Sequence, residues 1–172
     1  VVGNADLDAS GRPEVRRREA VLIAIDGQGR APYAAVGPGM VQVTGAGVST
    51  NESALVRAFT GLYPRSALTI VELGETSRVY HARGSTQERL EALRRADEHL
   101  KAVLERINLN DTRLFVLSAW ANPYTDQPMA PFIAYGAGVP RGWVTSASTH
   151  RDWLVLSRDL APSILELRGL PI

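Results

Sequence analysis

The groups able to do chemistry in this chain are few: three histidines, a scatter of carboxylates and some serines and threonines. Glu72 and Glu75 are the best placed. They stand where the apolar run Leu68–Leu73 gives way to the polar segment Gly74-Glu-Thr-Ser-Arg78. Strand ends of this kind are where open α/β sheets collect ligands. With Asp126, the two glutamates could hold one hard cation such as Mg²⁺ or Ca²⁺, which takes oxygen ligands. The plainer alternative is a surface ion pair between Glu75 and Arg78, with Thr76 capping a turn. His81, His99 and His150 show no metal-ligand spacing, and His99, beside Glu98 on a long helix, reads as solvent-facing. The segment Ser-Thr-His-Arg-Asp offers Thr149, His150 and Arg151 as a candidate grip on an anionic group.

Other constellations fail on spacing. A Ser-His-Asp hydrolase set from Ser118, His150 and Asp126 or Asp152 lacks the glycine elbow, because Ser118 is followed by Ala-Trp-Ala. The Gly-Gln-Gly of Asp26–Arg30 runs into Arg-Ala-Pro rather than a helix, so the dinucleotide fingerprint is absent and a tight turn is expected. Trp120, Tyr124, Trp143 and Trp153 could stack on a sugar or base, although core packing is the commoner use of such rings.

These residues need elements to hold them. Val1–Val2, Ala20–Ile25, Met40–Val43, Leu68–Leu73, Leu114–Leu117, Phe132–Tyr135 and Leu154–Leu156 are expected strands. Thr50 or Asn51 can cap a helix running to about Phe59, stopped by Gly61 and Pro64. Leu90, Leu93, Leu100, Val103, Leu104 and Ile107 recur at helical spacing behind a candidate cap at Thr86. A last helix starts at Asp159, with Pro162 in its first turn and Gly169 beyond its end. Strands alternating with helices predict a single α/β domain on a largely parallel sheet.

Composition bounds the rest. The 172 residues are 45% hydrophobic and 22% charged, ordinary for a globular domain. A net charge of +1 gives no electrostatic reason to expect nucleic acid. There is no cysteine, so disulfides and thiolate metal sites are excluded. No apolar run approaches the roughly 18 residues of a membrane span. The chain opens on Val1 in what reads as a strand end, as expected of a piece of a longer protein.

Five segments in order carry a likeness: VELGETSR (71–78), RRADEHLKAVLERI (94–107), VLSAWAN (116–122), MAPFIAYGAGV (129–139) and RDLAPSILELRG (158–169). Together they resemble the C-terminal portion of the alkaline phosphatase superfamily, which includes cofactor-independent phosphoglycerate mutases and phosphopentomutases. The pairing of VGNAD, GETSR and STHRDW is similar to a group of bacterial alkaline-phosphatase-like domains often found within larger membrane proteins. The resemblance implies a layered α/β sandwich, a largely parallel central sheet flanked by helices. Active members use two divalent metals held by Asp and His to activate a Ser or Thr nucleophile. Here the Asp-His pair of the family's Ser-Asp-His-Gly motif falls on Ala119 and Trp120, which offer no ligand atom. A later His falls near Thr125 or Asp126, and Glu75 stands where another His belongs, with Gly74 kept. The family's nucleophile and first metal-binding Asp are expected outside this chain.

The resemblance therefore implies a domain with no catalytic residues and no cofactor, serving as a binding, sensing or structural module of a bacterial envelope protein. The alternative is a phosphohydrolase or phosphomutase-type enzyme with Mn²⁺, Zn²⁺ or Mg²⁺ in a shifted acidic site of Glu72, Glu75, Asp97 and Asp126. Expected partners are the N-terminal half of the same protein or a second copy. A membrane enters only through segments outside the chain, on its extracytoplasmic face.

Overall fold

The computed structural model describes residues 1–3, 12, 28–30, 33–44, 47–118 and 129–169, which form two compact units, Val1–Ile107 and Asn108–Ile172. The expected strand Ala20–Ile25 lies outside the described residues. Both units mix helices and strands, so the α/β class holds at that level.

In the first unit, β1 (Val2–Gly3) pairs in parallel with β4 (Val71–Glu72), and Ala35 bridges Val2 from the other side. β2 (Val41–Thr44) and β3 (Gly47–Thr50) form an antiparallel hairpin, with Val41 opposite Thr50. Strand β4 is shorter than the expected Leu68–Leu73, since Leu68 is exposed and only Val71 and Glu72 pair.

Helix α1 (Glu52–Leu62) follows β3 directly. Asn51 caps it, its Oδ1 accepting the Ala54 N–H at 3.1 Å. Gly61 lies inside the helix rather than ending it, and a 3-10 turn over Tyr63–Arg65 makes the exit. Replacing Asn51 by Ala is expected to cost about 1 kcal/mol, the usual loss when an N-cap acceptor is removed. Urea unfolding would read it, and an unchanged midpoint would mean that water satisfies the Ala54 N–H equally well.

The segment expected as an acidic loop is instead helix α2 (Glu75–His81), with Gly74 at its start. Helix α3 (Thr86–Leu104) begins one residue earlier than expected, on Ser85. The Ser85 hydroxyl accepts the Glu88 N–H while the Glu88 carboxylate takes the Ser85 N–H, closing a capping box. Its buried face is Ala92, His99 and Val103. Leu90 and Leu93, expected in the apolar stripe, are exposed because they stand about 160° and 100° around α3 from the buried Ala92. The core is Val2, Leu55, Phe59 and Val103, flanked by Val71, Leu73 and Ile107. Phe59 stacks on Tyr63 with ring centres 5.0 Å apart.

The second unit is an antiparallel ribbon, β5 (Arg113–Leu117) and β6 (Phe132–Gly136), followed by helix α4 (Leu160–Leu167). Phe115 and Phe132 stack on one face of the ribbon. Leu154 makes only an isolated parallel bridge to Thr145, so the expected strand Leu154–Leu156 is reduced to one residue. The Arg113 guanidinium donates to Ala137 O at 2.8 Å and to Leu167 O at 3.3 Å, placing a cation at the carbonyl end of α4. Gly169 ends that helix in the left-handed conformation, φ 66°.

Candidate functional site

Charge is concentrated in one place inside the first unit. Glu75 and Arg78 stand one turn apart on α2, His99 comes from α3, Thr50 ends β3, and Glu52 opens α1. The capped start of α1 fixes Thr50 and Glu52 relative to each other. The short α2 then turns Glu75 and Arg78 to the same side, as an i, i+3 pair must be.

Glu75 is at the centre. Its Oε1 accepts the Thr50 N–H at 2.6 Å and lies 3.0 Å from Arg78 Nη2 and 3.5 Å from His99 Nε2. The other imidazole nitrogen, Nδ1, lies 3.2 Å from Glu52 Oε2. Arg78 Nη2 also reaches the Thr50 hydroxyl at 3.5 Å. Thr50, Glu75, Arg78 and His99 are all buried, whereas the Glu52 side chain is half exposed.

Burial alone would raise the Glu75 carboxyl, but His99, Thr50 and the Arg78 charge overcome it and hold it at about 2. Burial pulls the Arg78 guanidinium down, and Glu75 and then Glu72 pull it back up. For His99 the neighbouring Glu75 raises the imidazole above its ordinary value, burial opposes, and Glu52 adds to the rise. The cluster is a carboxylate shared between a guanidinium and an imidazole. It contains no nucleophile with an adjacent base, and its charges point at one another rather than into a cleft.

The expected Glu75–Arg78 ion pair is therefore present, but it is buried rather than on the surface. His99 is likewise corrected, from solvent-facing to buried. Its position seven residues after Ala92 and four before Val103 puts it on the inner stripe of α3, and that spacing is the signal in the sequence for it. Nothing in the sequence pattern singles out Thr50 or Glu52 as its neighbours, since the contact joins residues far apart in the chain.

The remaining candidates stand elsewhere. Glu72 ends β4, half-buried, and acts on Arg78 through its charge. Asp126 lies outside the described residues, as do Ala119, Trp120, Tyr124 and Thr125. Asp97 is exposed on α3, about 200° around the helix from His99, so it faces away from Glu75. Ser118 follows β5, exposed, its N–H donating to Pro131 O.

In the second unit, Thr149 is occupied with its own loop. Its hydroxyl donates to Leu154 O at 2.8 Å and accepts the Arg151 N–H at 3.3 Å. His150 and Arg151 are exposed, and both His150 and Trp153 take left-handed backbone angles, φ 49° and 63°. Trp143 and Trp153 are 77% and 56% exposed, so neither serves the core. Ser148 donates to Asp159 Oδ1 at 2.7 Å, pinning this loop to the start of α4.

Among the described residues, no three His, Asp or Glu side chains stand together as metal ligands. Among the described residues, one surface depression of about 600 Å³ lies against Ser53, Val56 and Arg57 of α1 and another of about 460 Å³ lies beside Tyr135 and Arg141. Neither is lined by a residue of the buried cluster. Among the described residues no helix is long and apolar enough to cross a membrane. Comparison with known protein families, with curated proteins and with solved structures finds no match to this chain.

Proposed function

We propose that this chain is part of an alkaline-phosphatase-like α/β domain that has given up its metal centre and works by binding or as a structural module. In this reading the domain is of the layered α/β kind, with a largely parallel central sheet flanked by helices. The observation that carries it is the state of Glu75. This is the residue aligned with a metal-binding His, and its carboxylate is turned inward onto Thr50, Arg78 and His99. Glu75 Oε1 is already shared among these three groups and Oε2 is buried, so a cation reaching Glu75 would have to be desolvated beside the Arg78 guanidinium, which is costly. Ala119 and Trp120, aligned with a second pair of ligands, have side chains with no ligand atom to offer. The resemblance also supplies the setting, an envelope protein whose membrane segments and N-terminal half lie outside this chain.

A shifted acidic metal site for phosphoryl transfer is the competing reading. It needs Asp97 beside Glu75, and the helix turns them apart.

Thermal unfolding with and without Mn²⁺, Zn²⁺, Mg²⁺ and Ca²⁺, together with metal analysis of the protein as isolated, separates the two. No specific stabilisation by any of these ions is expected. A bound ion at a hundred times its dissociation constant would add about 2.7 kcal/mol. A rise of that size, lost in Glu75→Gln, would replace the binding reading with a metal enzyme.

A further inference from the structure

We propose that His99 is a proton-operated latch, tying α3 to the first residues of α1 and α2 when protonated and releasing α1 when neutral. The two ring nitrogens face different carboxylates. Nδ1 faces the Glu52 carboxylate at 3.2 Å, and Nε2 faces the Glu75 carboxylate at 3.5 Å. A neutral imidazole has one N–H and one bare lone pair, so it can donate to only one of the two. The other would then face a negative oxygen with a lone pair. Only the imidazolium, with both nitrogens protonated, attracts both carboxylates.

The two contacts do not break equally. Glu75 is held from behind by the Thr50 N–H and by Arg78, and it is buried. The Glu52 side chain is 52% exposed and can turn into water at little cost. Proton loss therefore leaves an Nε2–H directed at Glu75 and frees Glu52. Both glutamates are the first residues of their helices, so the proton controls whether α3 grips two helix starts or one.

Among the described residues, the charged groups facing the ring come from two helices. α1 contributes Glu52, and α2 contributes Glu75 and Arg78. Arg95, one turn back on α3, and Glu72 of β4 act on Arg78 rather than on the ring directly. Arg78 opposes the proton on His99, but the Glu75 carboxylate lies between them and outweighs it. The balance agrees with an imidazole raised above its ordinary value. A raised histidine contributes stability that is complete below the ordinary value and is lost as pH rises through the folded one.

The test uses the whole chain, following the His99 ring protons by NMR and thermal unfolding from about pH 5.5 to about pH 9, a span bracketing the ordinary histidine value. The wild type is expected to lose stability over the interval in which His99 titrates. In His99→Gln that loss should disappear. Glu52→Gln changes only a half-exposed group and should fold normally. It should move both the His99 midpoint and the stability loss to lower pH, which a purely structural histidine would not do. His81 and His150 are exposed and present in every variant, so their contribution cancels in the comparison. A His99 midpoint at or below the ordinary value, or a Glu52→Gln midpoint equal to the wild type, would overturn the latch.

Discussion

Glu75→Ala is expected to destabilise the first unit by about 3–5 kcal/mol, the usual cost of breaking a buried ion pair from one side. The loss comes less from the missing attraction than from what is left behind. Arg78 stays buried with its charge, and its Nε and Nη1 already have no hydrogen-bond partner. The Thr50 N–H loses its acceptor as well, and the imidazole loses the carboxylate 3.5 Å from its Nε2. Urea unfolding would measure it. Glu75→Gln keeps the shape and a carbonyl for Thr50, so its loss should be smaller. Glu75→Ala combined with Arg78→Ala should be less damaging than the sum of the two, because the second change removes the charge that the first one stranded.

The same carboxylate sets an acid limit. A group held at about 2 against an unfolded value near 4.5 contributes stability that is full above about pH 4.5 and is lost as pH falls toward 2. Glu75→Ala should lack that component of the acid transition. A single variant costing less than about 1 kcal/mol would mean that the cluster is solvated and that Arg78 finds water when Glu75 is gone.

Much of the fold is legible in the residues. The Asn51 cap with α1, the strands over Arg113–Leu117 and Phe132–Gly136, and the helix Leu160–Leu167 all stand within a few residues of where pattern and capping chemistry put them. Each rests on local information, a cap, a β-rich apolar run or a glycine stop. Helix α2 is the clearest miss. Seven residues span only two turns, too few for a 3.6 period to show, and Thr76 and Ser77 read equally well as a turn.

The site was half legible for a related reason. Glu75 and Arg78 are three residues apart and announce their pairing. Burial of that pair depends on Thr50, 25 residues before Glu75, and on His99, beyond two further helix boundaries. No local pattern carries such information. Leu90 and Leu93 show the converse, since they recur at helical spacing and yet stand off the buried stripe of Ala92, His99 and Val103.

That contrast sets the second large effect. Leu55→Ala is expected to cost about 2–5 kcal/mol, while Leu93→Ala should stay within about 0.5 kcal/mol. Both are leucines in amphipathic helices, and burial alone separates them. Leu55 is completely buried against Val2, Phe59 and Val103, so its removal takes away apolar burial and leaves a void lined by strand and helix atoms that can close on it only in part. Leu55→Met, nearly equal in volume, should lose less than about 1.5 kcal/mol. Typical domains have only about 5–15 kcal/mol in total, so the alanine variant should sit close to unfolding while the methionine variant does not. Denaturant midpoints of the three variants would decide it. Equal, small losses at positions 55 and 93 would mean that α1 does not pack through Leu55.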